Sequence, residues 1–471
     1  MSCCPFIKKN ILDKFKDKCG VFGIYGPELK DITMMMYYGL FSLQHRGQES
    51  TGIVTSNFND IRIHVGQGLV NDVFNKEILA KLSEINPKLA IGHVRYATAG
   101  SKGVENAQPL VVKVKDTTIA LAHNGNLVNS EVIREDLLNQ GITFKTTVDT
   151  EVIINLIARH YVSKSLEDSI IETTKVIKGS YSLVIMTKDK LIGLRDPYGI
   201  RPLCIGQFPN GSYVLASESC TLDTIGAKFV RDVKKGEIVT IDANGLTSKI
   251  YNDSCKQHTC IFEYVYFARP DSTIDDINVY LSRVKQGEIL YREHPLKADM
   301  VIPSPDSGVH AAMGYSNASG IPYGCGLLKN RYIARTFIKP TQELRERDVH
   351  IKLNPLSVNI KGKDLILIDD SVVRGTTTMY LVRALKKAGA KKVNVLLASP
   401  MVKWPCHLGI DTANKDELIA ANYSLEEIRE KIGADYLGFI SIKGLIESCN
   451  NENKFCCGCF DGKYPVEDER K

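Results

Sequence analysis

Residues 364–378 read Asp-Leu-Ile-Leu-Ile-Asp-Asp-Ser-Val-Val-Arg-Gly-Thr-Thr-Thr, an apolar run that ends in paired acids and turns through a glycine into three threonines. Side by side, Asp369 and Asp370 suit ribose hydroxyls, a Mg²⁺ ion, or both. Gly375 lets the backbone turn tightly, and the first amides of a helix starting there have no acceptor within it. With the hydroxyls of Thr376, Thr377 and Thr378 and the positive helix end, those amides suit a terminal phosphate. The alternative is a solvated strand end followed by an ordinary helix cap. A triphosphate loop of the G-x-x-x-x-G-K-[ST] kind is disfavoured, because no Lys follows the Gly.

Upstream, residues 302–309 read Ile-Pro-Ser-Pro-Asp-Ser-Gly-Val. Ser307 and the turn amides around it suit a diphosphate and Mg²⁺; by composition the same stretch is a proline-rich turn. Cys19 opens an apolar run after an 18-residue leader and, taken alone, is a core cysteine at the start of a strand. If the leader is cut after Lys18, Cys19 gains a free α-amino group of pKa about 7.7–8.0, and nucleophile and base then share one residue. The cut removes five Lys and two Asp and leaves 453 residues with a net charge of +3. Near the C-terminus, Cys456-Cys457-Gly-Cys459 contains a C-x-x-C pair, with Cys449, Cys406, Cys260 and Cys255 as further candidates. Such a pair fits zinc, an iron–sulfur cluster, redox chemistry or no site at all, and a closed metal site needs four thiolates. Thioredoxin-like use is disfavoured, since the pair does not follow the first strand of a βαβ unit.

These residues need elements to position them. Apolar, β-branched runs at 61–65, 89–95, 117–122, 181–187, 213–216 and 237–241 predict an antiparallel sheet system with meander connections. Helical stretches at 31–45, 150–161 and 166–177 predict helices covering those sheets, an α+β arrangement. At 252–258 the composition turns polar, and beyond it the rhythm becomes strand, helix, strand. Residues 299–303, 364–368 and 393–399 are nearly continuous apolar runs, as strands buried on both faces of a parallel sheet should be. A helix over 376–388, closed by Gly389, completes a βαβ unit. Residues 328–354 carry Lys329, Arg331, Arg335, Lys339, Arg345, Arg347 and Lys352 with little periodicity, which reads as a basic loop.

The length of 471 residues calls for two domains of about 200 each. A net charge of +6 gives no reason to invoke nucleic acid or a membrane surface, and no run reaches the 18–20 apolar residues of a bilayer span. The leader lacks the apolar core of a signal peptide. The 13 Cys therefore read as thiols, metal ligands or nucleophiles in a reducing, cytoplasmic compartment.

Residues 364–378 resemble the phosphoribosyl pyrophosphate (PRPP) motif of the type I phosphoribosyltransferases. The resemblance implies that Asp369 and Asp370 hold the ribose diol and, with Ser307, Mg²⁺, and that Ser371, Val373, Arg374, Gly375, Thr376, Thr377 and Thr378 bind PRPP around its 5′-phosphate. The basic stretch would be the loop that closes over PRPP and shields an oxocarbenium-like transition state from water. Four other segments are similar to the N-terminal-nucleophile glutaminase domain of class II amidotransferases: Leu-Gln-His-Arg-Gly-Gln-Glu-Ser-Thr-Gly-Ile at 43–53, Gly-His-Val-Arg-Tyr-Ala-Thr at 92–98, His-Asn-Gly-Asn-Leu at 123–127 and Thr-Val-Asp-Thr-Glu at 147–151. That likeness implies Cys19 as nucleophile, Arg95 and Thr98 on the glutamine α-carboxylate, Asp149 on its α-ammonium, and the Asn124 side chain with the Gly125 amide as oxyanion hole. Taken singly, Arg95 reads as a surface salt bridge, Asn124-Gly125 as a hairpin turn and Asp149 as a helix cap. His45 and Arg46 have no assigned role beyond scaffold.

With both halves present, the chain from Cys19 to about Pro465 resembles the glutamine PRPP amidotransferases. This implies a leader over 1–18, an α+β glutaminase domain in αββα layers over 19–257, and an α/β phosphoribosyltransferase domain over 258–471. Glutamine would yield ammonia at Cys19, and the ammonia would pass through a channel between the domains and displace pyrophosphate from PRPP, opening purine synthesis. Rival readings are another class II amidotransferase or a non-catalytic PRPP-binding regulator. Iron–sulfur-bearing members place their cluster ligands at positions matching Cys260, Cys406, Cys456 and Cys459, implying one [4Fe–4S] cluster and one Mg²⁺ per subunit. Zinc is the alternative, and Cys457 competes with Cys456 as a ligand. The family also implies purine nucleotides as feedback inhibitors and a homotetramer or homodimer.

Overall fold

The computed structural model describes residues 19–96, 103–330, 353–410, 414–450 and 454–469. The first half holds two antiparallel sheets. One has seven strands in the order Lys228–Asp232, Cys204–Gln207, Tyr213–Ala216, Cys19–Tyr25, Leu89–Arg95, Ser50–Ser56 and Ile61–Gln67. The other has six, ordered Gly245–Ile250, Glu237–Asp242, Leu191–Arg195, Gly179–Met186, Thr117–Leu127 and Leu110–Val114. The sheets face each other through Val21, Ile91, Ala120, Val184, Leu215 and Val239. Helix Ile32–Ser42 packs Met36 and Leu40 on the outer face of the first sheet against Phe22 and Val94. Helices Asp149–Tyr161 and Leu166–Thr174 cover the second sheet with Ile153, Ile157 and Ile170. The result is the αββα layering expected, with central strands apolar on both faces because each is sandwiched.

Several local expectations shift. Thr117–Leu127 continues past Ala122, so Asn124 and Gly125 lie inside a strand opposite Ser182 and Tyr181 and form no hairpin turn. The polar His-Asn-Gly-Asn sequence hides this strand from a hydrophobic pattern; the ladder to its neighbour holds it. Ser50–Ser56 is likewise a fully buried strand despite its Ser, Thr and Gly content, because it is paired along both edges. The helix expected at 31–45 spans Ile32–Ser42, with Asp31 in the left-handed region at φ 58° as its cap. That expected at 166–177 ends at Thr174.

The second half contains a four-stranded parallel sheet in the order Met300–Pro303, Asp364–Asp369, Lys392–Leu397 and Tyr436–Phe439. Alternate residues feed two cores. Val301, Ile366, Ile368 and Leu396 meet helices Val279–Glu293, Val309–Ser319 and Ile442–Ser448. Ile302, Leu365, Leu367 and Val395 meet Thr376–Lys387 and Leu425–Ile432. Burial on both faces explains why these strands read as unbroken apolar runs. Short strands Leu327–Lys329 and Leu353–Pro355 pair antiparallel at the base of the basic segment. Residues 331–352, with Arg331, Arg335, Lys339, Arg345, Arg347 and Lys352, lie outside the described residues, as does the 1–18 leader. Among the described residues no helix is long and apolar enough to cross a membrane.

Candidate active site

Cys19 is the first residue of a central strand, directly opposite Arg95, which on its other edge faces Ser50. Both Cys19 and Arg95 are buried, so Arg95 is no surface ion-pair group. The segment after helix Ile32–Ser42 brings Arg46 in behind Cys19: its Nε donates to the Cys19 carbonyl at 3.0 Å. The Glu218 carboxylate accepts from Arg46 and lies 2.7 Å from His45 Nε2. It also accepts from the Ser272 hydroxyl at 2.7 Å and the Arg269 amide at 2.9 Å. Burial opposes ionisation of Glu218, but His45 and Arg46 outweigh it and hold the carboxyl far below the ordinary range. His45 and Arg46 thus join Glu218 in a polar cluster behind Cys19.

Asn124 is fully buried, and both its amide oxygen and nitrogen lack a hydrogen-bond partner among the described residues. A buried amide left open at both atoms costs roughly 1–3 kcal/mol per group, a cost that a ligand there removes. At Gly125 φ is 154°, and a Cβ would stand 2.0 Å from the Ser180 carbonyl oxygen, so no side chain fits. Asp149 is the first residue of its helix, after the cap residue Val148. Its Oδ2 accepts from the Leu127 amide at 3.0 Å, and its Oδ1 lies 3.5 Å from His123 Nδ1. The helix N-terminus favours the charged carboxylate. His93, next but one before Arg95, sets Nε2 3.0 Å from the His123 carbonyl and ties the Arg95 strand to the Asn124 strand across the sheets. Burial, above all, pushes its imidazole down to about 3, so it stays neutral as that donor. Thr98 lies outside the described residues.

In the second half, Asp369 ends its strand, and Asp370 and Ser371 follow; all three are buried. Asp369 Oδ1 accepts from the Asp370 amide at 2.9 Å and from the Ser307 hydroxyl at 3.1 Å, so the two sequence-distant acceptor segments meet. Ser371 donates to Asp370 at 2.6 Å. The loops leave adjacent parallel strands at their carboxyl ends, where such sheets bind ligands. Their approach is close: a Cβ on Gly308 would lie 2.1 Å from the Ile368 carbonyl oxygen. Gly375 takes φ 82° and helix Thr376–Lys387 starts immediately after it. The Thr376 hydroxyl is buried without a partner among the described residues, and Thr377 and Thr378 are buried beside it. Val373 is held by the Ile419 amide at 2.8 Å, and Arg374 engages Glu417. Lys329 pairs with Asp306 at the neck of the basic segment.

The halves are bonded directly. Asn126 donates to the His407 carbonyl at 2.9 Å, Ser180 to that of Leu408 at 2.5 Å, and Arg195 forks onto Asp275 at 2.6 and 2.8 Å. Cys260 and Cys456 stand opposite each other in a two-stranded parallel pair, and Cys459 sits on the short helix Gly458–Asp461. Burial, then one another's charge, raises the thiols: Cys459 feels Cys260, Cys456, Cys406 and Cys457. Asp461, Cys260 and Cys449 act on Cys457, which in turn acts on Cys456 and Cys459. Spacing along the chain gave no sign of Glu218, Glu263, His93 or Arg195; their partners are remote in sequence.

Residues 93–224 match a glutamine amidotransferase domain model. The chain is 48% identical to the amidophosphoribosyltransferase of Methanothermobacter thermautotrophicus, covering 96% of this chain and 95% of that one. It is 46% identical to the Bacillus subtilis amidophosphoribosyltransferase over 96% of this chain and 94% of the other. The solved B. subtilis glutamine PRPP amidotransferase complexed with ADP and GMP superposes with a TM-score of 0.90 at 45% identity, covering 96% of this chain and 98% of that one. Fold and site thus define a two-domain enzyme, a glutaminase joined to a phosphoribosyltransferase. The chain belongs to the amidophosphoribosyltransferase family. Its reaction is the first step of purine biosynthesis, the glutamine-dependent amination of PRPP to phosphoribosylamine.

Proposed function

We propose that residues 19–257 hydrolyse glutamine and residues 258–471 transfer the phosphoribosyl group, after removal of the 1–18 leader. The Cys19 thiol, relieved of its proton by its own α-amino group, attacks the glutamine side-chain carbonyl. The resulting oxyanion is received by the Asn124 side chain and the Gly125 amide. Arg95 and Thr98 hold the α-carboxylate and Asp149 the α-ammonium. Ammonia leaves, and water then frees glutamate from the thioester. The single observation that carries this reading is Asn124, whose buried amide has no partner at either atom among the described residues, beside a strand position that only glycine can occupy.

In the second half, Asp369 and Asp370 orient the ribose hydroxyls, and Ser371, Val373, Arg374, Gly375, Thr376, Thr377 and Thr378 receive the 5′-phosphate. Ammonia then attacks C1 as the bond to pyrophosphate breaks. The clustered oxygens of Ser307, Asp369 and Asp370 are a hard donor set that fits Mg²⁺, which when bound neutralises charge on the diphosphate. Cys260, Cys406, Cys456 and Cys459 are soft donors from three segments meeting at one apolar junction. Among the described residues no group of three Cys, His, Asp or Glu gathers at single-ion spacing. The resemblance to iron–sulfur-bearing members supports a [4Fe–4S] cluster with a structural role on these four thiols; zinc is the alternative, and Cys457 competes with Cys456 as a ligand. Purine nucleotides as inhibitors, a homotetramer or homodimer, and a cytoplasmic location complete the proposal; the nucleotides bound to the B. subtilis relative support the first.

Intact-mass measurement of the purified protein tests the nucleophile: the expected species begins at Cys19, and an uncut leader in active enzyme defeats the mechanism. Analysis of anaerobically purified protein should find about four iron and four acid-labile sulfide per chain. Stoichiometric zinc without iron overturns the cluster.

A further inference from the structure

Arg46 is buried between two acids, Glu218 of its own half and Glu263 of the other. While Nε holds the Cys19 carbonyl at 3.0 Å, Nη1 and Nη2 reach the two Glu263 oxygens at 3.0 and 2.9 Å. That is a fork-to-fork pair, which fixes the guanidinium plane as well as its position. Glu263 is fully buried and also pairs with Arg201 at 3.4 Å. It opens the short helical turn Glu263–Phe267, whose backbone is gripped from the phosphoribosyl side. There Arg283, on helix Val279–Glu293, donates to the Tyr264 carbonyl at 3.0 Å and the Ala268 carbonyl at 2.8 Å. A continuous set of buried polar contacts thus runs from the second half to the backbone of the nucleophile. Burying such ion pairs gains little stability over apolar packing, so geometry is the better reason for them.

We propose that Glu263 is a positioning residue for glutamine hydrolysis: through Arg46 it orients the Cys19 backbone, so the phosphoribosyl half completes the glutaminase site. This rests on Cys19 being the nucleophile. The contacts end on the carbonyl of Cys19 itself, so the effect is expected on turnover more than on binding.

In the full-length enzyme, Glu263→Gln should lower glutamine-dependent kcat about tenfold or more with the glutamine KM changed less than about threefold. Ammonia-dependent kcat, measured on the same preparation, should stay within about twofold and corrects for any loss of folded enzyme. Glu263→Asp keeps the charge one methylene short and should give an intermediate kcat; it decides the question by the same ratio if the Gln variant does not fold. Combining Glu263→Gln with Arg46→Lys should cost less than the sum of the two changes, since both break one relay. Equal loss of both activities, or an unaltered glutamine kcat, overturns the proposal. Failure of the underlying Cys19 reading is separately visible, as glutamine-dependent turnover that survives Cys19→Ala whatever stands at 263.

Discussion

Cys19→Ala is expected to lower glutamine-dependent phosphoribosylamine formation by about 10⁴ or more. Turnover with added ammonia should stay within about twofold of the parent. The asymmetry follows from the division of labour. In the proposed mechanism the Cys19 sulfur forms the acyl intermediate, and neither Arg95 nor the amide of Asn124 replaces a nucleophile. Cys19 is nonetheless held by backbone contacts, the ladder to Arg95 and the Arg46 bond to its carbonyl, which Ala retains. The fold, and with it the acid pair some 350 residues downstream, should survive. Steady-state assays with the two nitrogen sources decide it. Joint loss of both activities would mean that the two centres are not chemically separable.

Changing Asp369 or Asp370 to Asn should cut glutamine- and ammonia-dependent synthesis together, each by about 10²–10³, equivalent to about 2.7–4 kcal/mol of transition-state stabilisation. Asparagine keeps an oxygen to accept from the Asp370 amide and Ser307 hydroxyl, contacts Asp369 makes now, so the loop between strand and helix should hold. What is lost is the negative charge that suits Mg²⁺ and the ribose diol. Hydrolysis of glutamine to glutamate should persist in these variants. A fall confined to glutamine-dependent synthesis would remove the acids from the phosphosugar site.

Much of this was legible in the chain, and unevenly. The parallel strands around Asp369 stood out because burial on both faces demands unbroken apolar runs. The turn at Gly375 followed from a positive φ that glycine tolerates. The Asn124 strand was misread at its polar end, where pairing with Gly179–Met186 overrides local pattern. Ser50–Ser56 was invisible for the same reason.

By itself, the sequence determined what acts over a few residues: the periodicity of strands and helices, the acid pair before Gly375, the position of Cys19 at a strand start, and the cysteines of the C-x-x-C pair. Only the tertiary structure decided which remote groups share a site. Glu218 and Glu263 stand 172 and 217 positions from Arg46, yet both are ion-paired with it behind Cys19. His93 anchors on the carbonyl of His123, and Ser307 meets Asp369 across adjacent loops. The physical reason is that a hydrogen bond or ion pair depends on distance in space, and buried charges find partners only where sheets and domains close around them.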